Sequence, residues 1–272
     1  MKNARLGDLT VARIGLGAMG MSHGYTGAGT DDDESIRTIH RALDLGVNFI
    51  DTAEIYGPYV NEELVGRALK DRRDDVVLAT KFGLVSHAGQ GPWNRDSSPA
   101  NIRTAVEGSL RRLGTDRIDL YYQHRVDPNT PIEDTVGAVA ELIAEGKVRH
   151  IGLSNVSVKE LERARKIVPI VSVQNRYSLA DRGSEDVLRH CEQHGIAFLP
   201  WYPLGDGSAL KKAKVISIAG KIGATPAQVA IAWLLKKSPV MLPIPGTNDL
   251  AHLEENVAAA KLQLSEADFR SL

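Results

Sequence analysis

Four side chains of the sequence have the types needed to pass a proton to a substrate oxygen: Asp51, Tyr56, Lys81 and His124. An isolated tyrosine has a pKa near ~10 and is a weak acid at neutral pH. An adjacent ammonium group such as Lys81 favours the phenolate and so lowers that pKa, and Asp51 can hold the lysine charged. His124 can polarise the oxygen by hydrogen bonding. The set predicts proton donation to a carbonyl oxygen, and since no member can deliver hydride, a reduction would require a cofactor.

These side chains follow short apolar runs of the kind that form buried strands. Gly46–Ile50 is followed by Asp51, Val76–Thr80 by Lys81, and Ile118–Gln123 by His124. Five further runs complete the series: Leu9–Gly17, Val148–Leu153, Ile170–Gln174, Ile196–Pro200 and Val240–Pro243. Amphipathic segments with helix-start signals lie between them. Eight such repeats predict a (β/α)8 TIM barrel, a single domain over residues 1–272, with an extra helix after strand eight.

The helix starts are marked by capping residues. Ser98 precedes Pro99 as an N-cap with proline in the first turn. Thr130, Ser157 and Thr225 each stand three residues before Glu or Gln, which predicts three capping boxes.

In such barrels the active site is built from the loops at the carboxyl ends of the strands. This rule places Ser154, Asn155 and Gln174 at the same rim, where their hydroxyl and amide groups suit a carboxamide. Trp201 offers a flat face to a flat ring. The turn at Gly246–Thr247 and the following helix N-terminus lie where barrels frequently bind phosphate.

Residues Gly15–Gly20 match the glycine spacing of a dinucleotide-binding fingerprint. That fingerprint requires a helix to start there, whereas residues 21–29 have loop composition. We therefore expect a flexible glycine loop near a ligand rather than a Rossmann fold.

The bulk composition excludes several classes of protein. A net charge of −1 provides no electrostatic footprint for nucleic acid or an anionic membrane. The single cysteine excludes an intrachain disulfide, and no apolar run approaches the ~18 residues of a membrane span. The N-terminus leads into no apolar signal core. The expectation is a soluble, cytoplasmic protein.

Each candidate also has a purely structural interpretation. A lone lysine, aspartate or histidine at a strand end usually forms a salt bridge or a structural hydrogen bond, but four at neighbouring strand ends favour chemistry. Glu54, in the same loop as Tyr56, is not required by that chemistry. His190 and His194 are four residues apart, as in the zinc-protease motif, but the glutamate of that motif directly follows the first histidine, where this chain has Cys191. The pair also falls on an outer helix, so no metal site is predicted.

The chain resembles the aldo-keto reductase family in segments that run through nearly its whole length. They are Gly46–Gly57, Thr80–Gly83, Asp119–His124, Ile151–Asn155, Val173–Asn175, and Ile244–Thr247 through Glu254–Asn256. The resemblance implies NAD(P)H-dependent reduction of small aldehydes or ketones. It makes Tyr56 the acid, Lys81 its tuner, Asp51 the lysine's partner and His124 the orienting donor.

The resemblance also implies a cofactor site. Ser154, Asn155 and Gln174 would hold the carboxamide, and Trp201 occupies the place where the family stacks an aromatic residue on the nicotinamide. The remaining implied contacts are Pro203, Leu204, Gly246, Thr247 and Asn248, with Glu255 and Asn256 facing the adenine.

Three departures from the family pattern bear on specificity. Thr247, Asn248 and Asp249 stand where a basic residue often binds the 2′-phosphate. Asp249 would repel a phosphate, whereas Thr247, Asn248 and the helix N-terminus could still bind one by hydrogen bonds. The expected cofactor is therefore NADPH, with NADH as an alternative. The connection after strand seven, 204–210, is short, and the chain ends without a long pocket-lining tail. We therefore expect an open pocket bounded by Tyr56 together with Met21, Tyr25 and Trp93.

Two other functions remain open from the sequence. Lys81 could form a Schiff base, as in barrel lyases, although Asp51 would keep it charged. The chain could also bind nucleotide as a slow redox sensor or interaction protein. The sequence gives neither the physiological substrate nor the oligomeric state.

Overall fold

The computed structural model describes residues 3–22, 31–85, 87 and 94–272 of the chain. Tyr25 and Trp93, both predicted at the substrate pocket, lie outside the described residues. The strands are, in chain order, β1 (Asn3–Leu6), β2 (Leu9–Ala12), β3 (Leu16–Gly17), β4 (Phe49–Asp51), β5 (Val77–Phe82), β6 (Ile118–Gln123), β7 (Val148–Ser154), β8 (Ile170–Arg176) and β9 (Ala197–Trp201).

Within that part of the chain, β3 to β9 form one parallel sheet of seven strands in sequence order. The two sheet edges are joined by residues 240–246. On one side Phe198 N donates to Val240 O and Leu242 N donates to Phe198 O, both at 2.9 Å. On the other, Gly15 N donates to Pro243 O at 2.9 Å. This segment is the eighth strand of the predicted barrel, and its prolines limit it to isolated bridges because they lack the N–H that a regular ladder needs.

The prediction of a continuous first strand over Leu9–Gly17 is wrong. β2 pairs antiparallel with β1, and only Leu16–Gly17 joins the barrel sheet. The chain breaks between them at Arg13, whose guanidinium donates to Leu235 O and Ser238 O at 2.9 Å. The hairpin packs its apolar residues against the inward-facing side chains near the strand starts, so it closes the end of the barrel opposite the predicted site.

The helices surround this sheet. They are α1 (Asp32–Asp44), α2 (Val60–Leu69), α3 (Pro99–Leu113), α4 (Ile132–Ala144), α5 (Val158–Arg165), α6 (Glu185–His194), α7 (Ala213–Ile222), α8 (Pro226–Lys237), α9 (Leu250–Ala258) and α10 (Glu266–Ser271). Two helices, α9 and α10, follow the eighth strand, so one of them is additional to the repeat as the sequence predicts. α7 is a further addition between β9 and α8.

The helix caps agree with the sequence in all but one case. Ser98 caps α3, and Ser157 and Thr225 form complete capping boxes. The box at Thr130 does not form, since its hydroxyl donates instead to Asp127 Oδ2 at 2.9 Å and α4 begins without a side-chain cap.

No single helix in the described ranges is long and apolar enough to cross a membrane. α7 and α8 reach the required length and composition only as a pair bent by 90°.

Candidate active site

Lys81 lies at the centre of a buried hydrogen-bonded group at the carboxyl ends of β4 and β5. Its ammonium donates to Asp51 Oδ1 at 2.5 Å, to Thr52 O at 2.8 Å and to Tyr56 Oη at 3.1 Å. The lysine is fully buried, while Tyr56 is 6% exposed and faces the cavity. Because the phenol oxygen accepts from Lys81, its own O–H is directed elsewhere and can serve as a donor.

Asp51 is held from both sides. Besides accepting from Lys81, it accepts a hydrogen bond through Oδ2 from Gln174 Nε2 at 2.9 Å. Both carboxylate oxygens are thus occupied, which offsets the cost of burying a charged pair. Gln174 is predicted from the sequence to bind a carboxamide, and in the structure its amide nitrogen is directed at Asp51.

His124 stands beside Tyr56, with the two rings perpendicular and their centroids 5.9 Å apart. Burial holds the pKa of His124 well below its usual value, and the positive charges of Lys81 and Arg125 act in the same direction. The imidazole is therefore neutral at physiological pH. Its Nδ1 atom is buried and has no hydrogen-bond partner among the described residues. A neutral imidazole has one N–H donor, which suits it to orient a carbonyl oxygen.

A cavity of about 730 Å³ opens in front of these residues. Its size is that of small-molecule and cofactor sites. The wall includes most of the residues that the sequence predicts. The predicted residues that line it are Asp51, Tyr56, His124, Ser154, Asn155, Gln174, Trp201, Pro203, Leu204, Gly246, Thr247 and Asn248.

The indole of Trp201 is held by a chain of side-chain amide contacts. Trp201 Nε1 donates to Asn155 Oδ1 at 3.0 Å, and Asn155 Nδ2 donates to Ser154 Oγ at 2.7 Å and to His124 O at 3.3 Å. Asn155 has a φ of 59°, and the neighbouring wall residue Tyr202 has a φ of 61°. Left-handed backbone in non-glycine residues is costly and concentrates at functional sites. These contacts fix one flat ring at the cavity wall.

The far end of the cavity is polar rather than basic. Asp249 caps α9 by accepting from His252 N at 2.8 Å, and that bond lowers the pKa of its carboxyl group. Asn248 O accepts from Thr38 Oγ1 at 2.9 Å, which ties this turn to α1. Glu255 and Asn256 lie on α9, and neither is among the described residues that line the cavity.

Met21 does not line the substrate pocket as the sequence predicts. Its side chain is fully buried in an apolar cluster with Leu16 and Ile39. The short 3-10 helix at Met19–Ser22 turns Met21 inward, and the preceding residues Met19 and Gly20 face the cavity instead. The glycine loop thus does lie beside the cavity.

Two cavity residues, Arg125 and Tyr202, were not singled out from the sequence, and a third residue near the site, Glu54, was set aside. Arg125 and Tyr202 line the cavity, and their positions directly after His124 and Trp201 could have indicated this. Glu54 is buried, accepts from Gly83 N at 3.1 Å and lies 3.2 Å from His87 Nε2. Burial raises the pKa of its carboxyl group. Glu54 therefore joins the loop of Tyr56 to the loop after β5.

One group of potential metal ligands lies outside the barrel. Glu162, His190 and His194 bring ligand atoms within 4.8 Å of one another between α5 and α6. Glu162 Oε1 accepts from His190 Nε2 at 2.8 Å and is also bound by the guanidinium of Arg165. The group is remote from the cavity, and His194 Nδ1 lies 2.9 Å from the backbone oxygen of His190.

The fold and the site together define a (β/α)8-barrel protein with a cavity at the carboxyl ends of the strands. The phenol of Tyr56 in the cavity wall is a group that can donate a proton. Comparison with known proteins is specific. Residues 13–272 match the model of the aldo/keto reductase family. An uncharacterized oxidoreductase of Schizosaccharomyces pombe is 43% identical over 98% of this chain and 88% of its own length.

Two further relatives are informative. Pyridoxine 4-dehydrogenase of Escherichia coli is 41% identical, covering 96% of this chain and 93% of its own. An aldo-keto reductase from Klebsiella pneumoniae, crystallised with NADPH, superposes with a TM-score of 0.85 at 33% identity, covering 99% of this chain and 93% of that one. The chain belongs to the aldo/keto reductase family and so to a family of oxidoreductases.

Proposed function

We propose that the chain is an NADPH-dependent carbonyl reductase in which Tyr56 donates the proton to the substrate oxygen. The observation that carries this proposal is the hydrogen bond of 3.1 Å from the buried Lys81 ammonium to Tyr56 Oη at the cavity wall. A cation at that distance stabilises the phenolate that remains after the proton has left. Lys81 thereby lowers the free-energy cost of proton transfer.

His124 and Asp51 have separate tasks in this scheme. The neutral imidazole of His124 donates a hydrogen bond to the carbonyl oxygen and places it near Tyr56 Oη. Asp51 accepts from Lys81 and Gln174 and keeps the ammonium in position. Preorganised donors of this kind stabilise the negative charge that develops on the oxygen.

The cavity residues fit a nicotinamide cofactor, which supplies the hydride when bound. Trp201 presents a ring in a fixed orientation, and Ser154 and Asn155 place polar groups beside it. A cavity of about 730 Å³ has the size of a site for a sizeable ligand.

We favour NADPH over NADH because a relative of 33% identity was crystallised with NADPH. Thr247 and Asn248 would have to bind the 2′-phosphate by hydrogen bonds, since the nearby Asp249 is acidic. We therefore expect a modest preference, and Asp249→Lys should increase the ratio of NADPH to NADH affinity. Equilibrium titration of both nucleotides against the variant and the wild-type chain measures this ratio.

A Schiff-base lyase using Lys81 is disfavoured. The three ammonium hydrogens already have three acceptors, and the side chain is fully buried. A nucleophilic lysine must lose its proton and reach the substrate. Borohydride trapping in the presence of an aldehyde should leave Lys81 unmodified, and an adduct on Lys81 would overturn the reductase assignment.

The direct test is steady-state oxidation of NADPH with a panel of carbonyl compounds. The panel includes 4-nitrobenzaldehyde, methylglyoxal and pyridoxal, the last because one relative is named for action on pyridoxine. We expect reduction of at least one of them to the alcohol. Tight nucleotide binding without turnover across the panel would instead favour a nucleotide sensor.

A further inference from the structure

The cavity wall carries a positive charge that the proposed proton transfer does not use. Among the described wall residues, the side chains that are charged or titrate near neutral pH are Asp51, His124 and Arg125. Asp51 is neutralised by Lys81, and His124 is neutral because its pKa is low. Arginine stays protonated in proteins. Arg125 is therefore the cation among the described residues that line this wall.

Arg125 lies next to the groups that orient the substrate. It directly follows His124, and its guanidinium carbon is 5.6 Å from the centroid of the Trp201 ring. The carbonyl oxygen of His124 accepts from Asn155, whose side chain holds the same indole. Arg125 thus lies beside both His124 and Trp201 at the cavity wall.

The location separates Arg125 from the proposed phosphate end of the cofactor. Arg125 follows β6, the fourth strand of the barrel, whereas Thr247 and Asn248 follow the eighth. The fourth and eighth strands of an eight-stranded barrel lie across from each other. The guanidinium of the nearby Arg176 also lies 5.7 Å from the centroid of the Trp201 ring, but Arg176 is not among the described residues that line the cavity.

Asp127, the first acidic residue after Arg125, holds the loop after β6 in place. The residue is buried and accepts from Ser97 N, Asn129 N and Thr130 Oγ1, each at 2.9 Å. Its oxygens are thus committed to holding the loop rather than to the cavity.

We propose that Arg125 makes the site selective for carbonyl substrates that carry an oxyanion, either a carboxylate or a phosphate. A guanidinium presents paired N–H donors that match both groups. This inference rests on the proposed reductase function and specifies its substrate class.

The test compares three aldehydes of similar shape: 4-carboxybenzaldehyde, 4-formylphenyl phosphate and the uncharged 4-formylbenzamide. The full chain, Arg125→Gln, Arg125→Lys and the control Arg111→Gln are assayed with saturating NADPH at low and high salt. Arg111 is exposed on the outer helix α3, so its replacement makes the same change in net charge. NADPH affinity is measured for each variant.

We expect wild type to prefer one or both anionic aldehydes in kcat/KM. Arg125→Gln should reduce that preference by about 10- to 100-fold, as for loss of a charge-assisted hydrogen bond. Arg125→Lys should retain part of it, Arg111→Gln should behave as wild type, and high salt should shrink the preference. The better of the two anions identifies the oxyanion.

An unchanged preference in Arg125→Gln would overturn the proposal. So would a proportional loss for all three aldehydes together with weaker NADPH binding, since Arg125 would then serve the cofactor. Absence of turnover by the wild-type chain with all three aldehydes and with the uncharged panel would instead contradict the reductase function itself.

Discussion

The ammonium of Lys81 satisfies a structural and a chemical demand with the same three hydrogens. It compensates the buried Asp51 carboxylate, fixes the loop through Thr52 O and reaches the phenol of Tyr56. A buried ion pair contributes little net stability, but removing one partner leaves an uncompensated charge. The pair is therefore best understood as a device for positioning a cation at Tyr56.

Replacing Lys81 should reveal both roles. Lys81→Met should lower the free energy of unfolding by about 3–5 kcal/mol, because Asp51 is left charged and buried. Adding Asp51→Asn to this variant should recover most of the stability but none of the reductase activity. Urea unfolding and NADPH oxidation measure the two quantities. Recovery of activity along with stability would show that Lys81 has only a structural role.

His124 should make stability depend on pH. Its folded pKa lies below the unfolded value of about 6.5, so the unfolded chain binds more protons in that range. Stability from this group is complete above about pH 6.5 and falls as the pH decreases toward the folded pKa. His124→Asn should flatten the unfolding free energy against pH below that point. An unchanged slope of unfolding free energy against pH in His124→Asn would mean that other titrating groups determine the pH dependence of stability.

At the scale of elements, strand ends and loops decide which side chains meet. The sequence could predict that Asp51, Lys81 and His124 share one rim, because each follows an apolar run of strand length. It could not predict that Asn155 is used to hold Trp201, or that Met21 points inward, since side-chain direction within a loop depends on tertiary contacts. The alternating apolar residues at Leu9–Ala12 led to the wrong prediction of a barrel strand. A strand of the covering hairpin and a barrel strand have the same alternating pattern.

The loop after β6 allows a test of the claim that loop contacts decide which side chains meet. Asp127 binds two backbone N–H groups and Thr130, and so connects the loop of His124 to the start of α3. Asp127→Ala should destabilise the protein by at least about 2 kcal/mol, because buried donors are left unsatisfied. Ser157→Ala, which removes only a helix cap, should cost about 1 kcal/mol. Equal losses of unfolding free energy for Asp127→Ala and Ser157→Ala in chemical denaturation would show that Asp127 does not connect the loop after β6 to the segment before α3.

At the scale of the whole molecule, the barrel depends on closure by residues 240–246. Gly17 and Gly246 form a parallel bridge there, and a Cβ atom on Gly246 would lie 2.8 Å from Gly17 O. The eight apolar runs predicted the barrel, but closure through a proline-containing segment with glycines in contact is a property of the packed structure. No local pattern indicates it.

Gly246→Ala should therefore destabilise the protein by about 1–3 kcal/mol, the range for overpacking. Gly137→Ala is the matched control, because a Cβ atom added to Gly137 in α4 would meet no described atom within 4 Å and alanine favours the helix. We expect the control to be neutral or stabilising in thermal unfolding. Equal tolerance of both substitutions would contradict tight closure at Gly17 and Gly246.

The central claim, that Tyr56 is the proton donor, is tested most directly by Tyr56→Phe. This substitution keeps the aromatic ring in the cavity wall but removes the hydroxyl group that Lys81 contacts. The measurement is kcat/KM for reduction of an aldehyde that the wild-type chain reduces, with NADPH affinity determined by quenching of tryptophan fluorescence. We predict a loss of at least about 10²-fold in kcat/KM with nearly unchanged NADPH binding. Retention of most of the wild-type kcat/KM would contradict the assignment of Tyr56 as the acid.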